Sequence, residues 1–430
     1  MEKKKNTVSF YTLGCRLNQS ETATLEQLFE ADSSYKIVSK SAPADIYIIN
    51  TCTVTAKGDS DTRKLINKVL RINPKADIAL IGCQSQTQKE KLLKLPNVRW
   101  VVGNAIKNNL PEILKETDKS PRVIVPTIPK GSFKIAAAAI DKKRTRANMK
   151  VQDGCNFFCS YCEVPYARGR ARSRVFDNVI EEAKQLVEAG HKEIVITGIN
   201  VGQYNEGNNN LLDIINALEQ IKDLKRIRIS SIEPTTIPEK LLNKMSKETK
   251  LCRYLHIPLQ SANDQVLASM NRKYKFKEFQ SFIHQAKKEV KGICIGTDLI
   301  VGFPTETDEY FYNTFEKLQA LPVDYFHVFS YSKRSLALSR KINTSIPIVE
   351  IQKRSKLLRE LSQTKKNLLY KSMLGTTQSV LFEQKKNGFW TGFTDNYVHV
   401  KVNSKESLQN QIYKVKLKNI LGQDILGILN

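Results

Sequence analysis

The sequence predicts an α/β protein in three parts: an N-terminal open parallel α/β domain, a central partial (β/α)6 barrel, and a small all-β module at the C-terminus. Three observations carry this reading. Apolar strands alternate with helices from the first residues onward, as in parallel sheets buried on both faces. A second alternation of six strand-helix repeats then runs over about 200 residues, which suits a barrel or partial barrel. Beyond about Lys371 short strands separated by polar turns take over. The predicted boundaries are 1–125, 141–368 and 369–430, and 430 residues suffice for several cores.

In order, "TVSFYTLGC" reads as a buried strand followed by a helix near residues 20–31. "ADIYIINTC" is a second strand with a helix from about Asp59 to Arg71, and "ADIALIGC" a third with a helix beginning near Gln86. Cys15, Cys52 and Cys83 each fall just past a strand's C-terminal end. A lone cysteine is ordinarily a small buried apolar residue. Ligand crevices of open parallel sheets, however, lie outside those ends, so three such cysteines would converge on one edge and share a metal.

A basic, Pro-containing connector, roughly 120–146, ends in "DKKRTR". The barrel strands are read at "NMKVQDG", "KEIVITG", "RIRISS", "RYLHIPL", "ICIGTDLIVG" and "YFHVFSYS", with helices such as "DNVIEEAKQLVEAG" and "ETDEYFYNTFEKLQAL" between them. Active groups belong at the strand C-termini. The terminal strands are "TQSVLFEQ", "FWTGFTD", "YVHVKVN", "YKVKLKNI" and "DILGILN".

Lys+Arg 68 against Asp+Glu 43 gives a formal charge of +25, which calls for a polyanionic partner, nucleic acid or an acidic membrane surface. The membrane is the weaker option, because no apolar run approaches the ~18 residues of a spanning helix. "MEKKKNTVSF" lacks the apolar core of a signal peptide. Eight cysteines in this length make no disulfide scaffold, so a reducing cytoplasm is the expected compartment, and clustered cysteines there suggest metal or catalysis.

The strongest motif is "DGCNFFCSYCEVP", which spaces Cys155, Cys159 and Cys162 as C-x3-C-x2-C after a strand. Three thiolates on one tight loop can hold three corners of a [4Fe–4S] cluster and leave one iron open to a ligand. The alternative is zinc completed by a distant histidine, although structural zinc pairs usually repeat as two short hairpins. The motif resembles the radical S-adenosylmethionine (SAM) superfamily, in which the open iron binds SAM. "VITGINVGQY", "RISSIEP", "HIPLQSANDQVLASMNRKY" and "GTDLIVGFPTET" then narrow the resemblance to the methylthiotransferases that modify tRNA and a ribosomal protein. It covers nearly the whole chain, and the terminal β module resembles that family's TRAM domain.

The resemblance implies two [4Fe–4S] clusters and SAM. Cys155, Cys159 and Cys162 would ligate the cluster that binds SAM; Cys15, Cys52 and Cys83 would ligate an auxiliary cluster that carries the sulfur. Tyr161 matches the aromatic position that lies against the SAM adenine. Gly198 and Asn200 would hold SAM's amino group, and Ser231 and Glu233 its ribose, with Gln260 at the fourth strand end. Each of these could instead be a satisfied polar loop residue. Family members usually have Gly at Ala262 and Thr305, and a more Pro- and Gly-rich stretch than "YSKRSLALS".

"YARGRARSR" places Arg168, Arg170, Arg172 and Arg174 two apart, so on an extended segment all four would project to one side. That suits phosphate contacts, the alternative being an ordinary solvated face. From 351 to 430 there are fourteen Lys+Arg against five Asp+Glu, so the β module shares the positive charge. Its Phe389, Trp390, Phe393 and Tyr397 read more readily as core than as base-stacking platforms. Cys252 and Cys294 read as strand core, and His256 and His327, also on strands, receive no catalytic role.

Around the first cysteine, "GCRLNQSE" resembles the bacterial members acting on N6-threonylcarbamoyladenosine at tRNA position 37, beside the anticodon. Asn18 and Gln19 could contact the substituent or cap the following helix. The expected reaction places a methylthio group at C2 of that nucleoside. The implied partners are the anticodon stem-loop of tRNA, a reducing electron donor and a sulfur donor. The alternatives are the same chemistry on isopentenyladenosine or on a ribosomal aspartate, and a non-catalytic iron–sulfur RNA-binding sensor.

Overall fold

A computed structural model describes residues 5–53, 56–116, 120–141 and 143–430. The first four residues of "MEKKKNTVSF" and Lys142 of the "DKKRTR" connector lie outside the described residues.

The N-terminal part is a six-stranded, wholly parallel sheet: β1 (Asn6–Thr12), β2 (Tyr35–Ile37), β3 (Ile46–Thr51), β4 (Asp77–Gly82), β5 (Val98–Val102) and β6 (Arg122–Ile124), in the order β2-β1-β3-β4-β5-β6. The three strands read from the sequence, β1, β3 and β4, are adjacent at its centre. Apolar clusters cover both faces, one around Phe10, Phe29 and Trp100, the other around Tyr47, Ile66 and Leu80. β2, β5 and β6 were not expected; two of them are only three residues long, too short to show a period. Helices also begin earlier than expected. The first spans Arg16–Ala31 with Cys15 at its N-cap, and the third begins on Cys83 itself, because Gly82 turns the chain at φ +95°.

The six barrel strands are Arg146–Lys150, Glu193–Thr197, Arg226–Ile229, Tyr254–His256, Cys294–Val301 and Tyr325–Ser330. They form two parallel triplets joined through the Ile227–Leu251 and Ser231–His256 bridges, which makes the expected partial barrel. A single core of Val, Ile and Leu packs between these strands and their helices. A 26-residue helix, Ile348–Met373, then packs along the sixth strand and leads into the terminal module. No sequence expectation covered it, since its lysines and arginines fall on every side.

The C-terminal module is a closed five-stranded barrel of Thr377–Lys386, Phe389–Thr394, His399–Val402, Ile412–Leu421 and Asp424–Leu429, consistent with a TRAM domain. It is bolted to the central barrel by arginines. Arg226 donates to the carbonyls of Phe393 and Ser379, Arg228 to those of Asp395 and Thr394, and Arg253 pairs with the Asp395 carboxylate at 2.7 Å.

Candidate active site between the two cysteine loops

Cys15, Cys52 and Cys83 follow the C-terminal ends of β1, β3 and β4, three neighbours in the sheet, so the fold brings them to one edge. Two glycines permit the crowding. A Cβ on Gly14 (φ +90°) would lie 2.8 Å from Cys52 Sγ, and one on Gly82 would lie 2.6 Å from the Thr51 carbonyl. Cys15 is exposed, Cys52 half-buried and Cys83 buried.

Cys155, Cys159 and Cys162 occupy the loop after the first barrel strand. The Phe157 amide lies 3.5 Å from Cys155 Sγ, the Val164 amide 3.4 Å from Cys162 Sγ, and Arg272 donates to Cys159 Sγ at 3.4 Å. Donors of this kind favour the thiolate. Burial pushes Cys155 up to about 11 and raises Cys162 further, so these thiols hold their protons until a metal displaces them. All eight cysteines are free, and this donor set fits iron–sulfur ligation.

The residues implied for SAM fall into three places. Tyr161 and Gln260 line a cavity of ≈ 190 Å³ with Asp298, Ile300 and Phe329. Gly198 and Ser231 line a larger cavity. Asn200 Oδ1 accepts from the Glu233 amide (3.3 Å) and from Thr236 Oγ1 (2.9 Å). Its Nδ2 is buried with no partner among the described residues, a donor suited to a polar ligand such as SAM. Gln152 Oε1 accepts from the Ile199 and Asn200 amides at 2.9 and 3.0 Å and so fixes the Gly198 edge. The Glu233 carboxylate is engaged by both Arg272 terminal nitrogens.

The arginine series is not a one-sided ladder. Arg168 closes a short helix, Val164–Arg168, and only Arg172–Ser173 is strand. Arg168 and Arg174 are each 1% exposed. Arg174 is spent on Glu182, Asn178 and the Lys150 carbonyl. Arg172 is half-buried, 3.6 Å from Asp153. Of the four, Arg170 alone is exposed, so phosphate contacts by Arg168 and Arg174 are corrected. Helix formation and buried carboxylates overrode the two-residue spacing.

Arg168 instead joins the two cysteine loops. Its Nε donates to Cys83 Sγ at 3.1 Å, and its terminal nitrogens reach Glu21, Asp153 and Asn18. Lys150 binds Glu21 (2.7 Å) and Asp153 (2.6 Å), and Lys107 binds Glu21 at 2.5 Å. Three cations thus face two carboxylates out of water, and the surplus charge lies against Cys83. Burial brings Lys107 down to about 8. Burial raises the Cys83 thiol above its ordinary value, and the Arg168 guanidinium opposes that shift.

A second arginine makes a parallel tie. Arg334, inside "YSKRSLALS", donates to Thr53 (2.7 Å) beside Cys52, to Asp59 (2.9 Å), and to Glu163 (3.1 Å) beside Cys162. The departure at this segment therefore carries a clamp. Ala262 is fully buried, and the buried Thr305 hydroxyl has no partner among the described residues.

The larger cavity, ≈ 610 Å³, opens between the Cys15 turn, the barrel strands and the terminal module. Its walls include Cys15, Arg16, Gln19, Tyr254, His256, His327, Lys366, Phe393, Tyr397 and His399. Phe393 and Tyr397 stack at 4.8 Å as an aromatic wall, whereas Trp390 is core. Cys252 is buried just outside a strand; Cys294 is buried on the cavity wall. His256 Nε2 lies 3.0 Å from Asp298, and His327 completes a group whose ligand atoms lie within 4.8 Å of one another. The sequence reading gave His256 and His327 no catalytic role and did not single out Arg272 or Arg334, so it missed this convergence. Strand-end position was the available signal for the histidines; none was available for the arginines.

Residues 149–318 match the radical SAM superfamily, and residues 7–103 match the Uncharacterized protein family UPF0004. The chain is 34% identical to the threonylcarbamoyladenosine tRNA methylthiotransferase MtaB of Bacillus subtilis, with 96% of this chain and 93% of that protein covered. It is 35% identical to the Aquifex aeolicus protein of the same name (92% and 96% covered). Against the tRNA-2-methylthio-N(6)-dimethylallyladenosine synthase of Thermodesulfovibrio yellowstonii it is 31% identical (96% of each). The radical SAM methyltransferase TsrM of Kitasatospora setae shares the fold at TM-score 0.56 and 14% identity, covering 76% of this chain and 73% of that one. With the two cysteine loops tied together by Arg168 and Arg334 and relatives of this similarity along its whole length, the chain belongs to the radical SAM tRNA methylthiotransferase family.

Proposed function

We propose that this transferase places a methylthio group at C2 of N6-threonylcarbamoyladenosine at tRNA position 37, using a second [4Fe–4S] cluster on Cys15, Cys52 and Cys83. The observation that carries the reading is the cavity itself, which has the exposed Cys15 in one wall and the strand-end residues Gly198 and Ser231 in another. When bound, the cluster and SAM supply a reducing electron and a carbon radical able to attack an unactivated aromatic position. The chain's own residues hold and orient. Tyr161 and Gln260 frame the adenine of SAM, the Gly198 edge and Asn200 take its amino-acid end, and Phe393 and Tyr397 wall the chamber that takes the target base. A reducing electron donor, a sulfur donor and a cytoplasmic setting belong to the same reading.

For the RNA backbone, Arg170 is the exposed arginine of its series, and Lys414, Lys416 and Lys418 form an exposed row on the strand Ile412–Leu421, whose Val415 and Leu417 face the core. The names of the most similar relatives support the nucleoside. Nucleoside analysis of tRNA from a deletion strain tests it: 2-methylthio-N6-threonylcarbamoyladenosine should vanish. Loss of the isopentenyl derivative instead would refute the reading.

A further inference from the structure

The larger cavity is lined by two full cations, Arg16 and Lys366, and three histidines, with no carboxylate among the described residues of its walls. Most buried cations of this protein are paired; Lys107, Lys150, Arg168, Arg174, Arg228, Arg272, Arg334 and Arg354 all meet acids. Lys366 does not. Among the described residues no acid pairs with it, and its neighbour is the Tyr370 ring, 5.2 Å from Nζ. The adjacent Lys365 is consumed by the carbonyls of Gln319 and Leu321. Lys366, Leu369 and Tyr370 are spaced i, i+3, i+4 on the long helix and together line the cavity. Across it Arg16 is held by Tyr397 at 2.7 Å, also without an acid partner among the described residues.

A half-buried cation without an acid partner is expensive unless an anion arrives with the ligand. On the proposed nucleoside, the threonylcarbamoyl group ends in a carboxylate, whereas an isopentenyl group is neutral. C2 and the N6-bearing carbon both adjoin ring nitrogen N1. A base that presents C2 to the Cys15 side therefore carries its N6 substituent into the same chamber. We propose that Lys366, with Arg16 opposite, forms the anion subsite that seats this carboxylate and selects the threonylcarbamoyl group over neutral N6 substituents. The inference rests on the proposed nucleoside and adds the residue that reads it.

Synthetic anticodon stem-loops carrying N6-threonylcarbamoyladenosine, its methyl ester, or isopentenyladenosine test this with the cluster-loaded enzyme under anaerobic conditions. The native enzyme should bind the acid about 10- to 100-fold more tightly than the ester, the range of one charge-assisted hydrogen bond. In Lys366→Met that ratio should fall toward one, with KM rising more than kcat falls, and Lys366→Arg should restore most of it. Lys366→Gln repeats the measurement should the methionine variant fail to load iron. An unchanged acid-to-ester ratio in the variants, or no preference in the native enzyme, overturns the subsite. Equal weakening for both hairpins would assign Lys366 to a backbone phosphate and also overturns it. If the native enzyme instead modifies the isopentenyl hairpin and not the threonylcarbamoyl one, the nucleoside reading itself falls.

Discussion

Arg168 donates to Cys83 across the domain boundary at 3.1 Å, so a side chain six positions past the last cysteine of one loop holds a cysteine of the other. Replacing it removes a guanidinium that also serves Glu21 and Asp153, and a broken buried pair typically costs about 3–5 kcal/mol. Arg168→Met should lower thermal stability, and after anaerobic reconstitution it should drop from about eight irons per chain toward about four. Arg168→Lys keeps the charge but not the fork, and should recover only part of the iron. Iron and sulfide analysis with electron paramagnetic resonance checks both.

Gly14→Ala is expected to act on the same site through the backbone alone. The added Cβ would meet Cys52 Cβ at 2.7 Å, and φ +90° is costly for any L side chain. The variant should keep the iron of the Cys155–Cys162 loop and lose most of the other. A full complement of eight irons would show that the turn relaxes.

Arg334→Ala leaves Glu163 almost fully buried without its cation and takes one partner each from Thr53 and Asp59. A loss of about 3–5 kcal/mol in unfolding free energy is expected. Limited proteolysis should then open the segment around residue 334 before the barrel core.

Glu193 supplies a pH dependence. Although burial alone would raise its pKa, Arg228 at 2.6 Å, with Arg146 and Arg226 nearby, holds the carboxyl down to about 2. Stability from this pair is fully present above the ordinary carboxylate range near 4.5 and is lost as pH falls from there toward 2. Its size is on the order of 3 kcal/mol. Denaturation curves between pH 5 and pH 2.5 should show the decline, and Glu193→Gln should flatten it while lowering stability at pH 7.

Arg170 is expected to contribute electrostatically. Arg170→Ala should weaken binding of any anticodon stem-loop alike and reduce the slope of log affinity against log salt by about one. An unaltered slope would place the RNA path elsewhere.

The sequence revealed the cysteines because their spacing and strand-end positions are local facts that a parallel sheet converts into proximity. The barrel strands were equally plain, being continuous apolar runs such as "KEIVITG". The arginines were not. Arg168 and Arg170 look alike in a row of alternating basic residues, and only the distant Glu21, buried beside Lys107 and Lys150, separates a structural guanidinium from a solvated one. Lys366 was hidden for the opposite reason: it sits in a lysine-rich helix and is distinguished by the acid it lacks. Phe393 and Tyr397 read as core because pattern cannot tell an apolar interior from an aromatic cavity wall.

On the proposed reading, the helix Ile348–Met373 would also govern how substrate is measured. At 1.5 Å per residue it is a rod of about 39 Å. One end enters the module proposed to grip the stem-loop, and Lys366 lies two turns before that end. Arg226, Arg228 and Arg253 keep the module from swinging. If the module grips the RNA and Lys366 tests the nucleoside, one continuous helix joins the two, so a stem-loop seated out of register would bring the wrong base to Lys366.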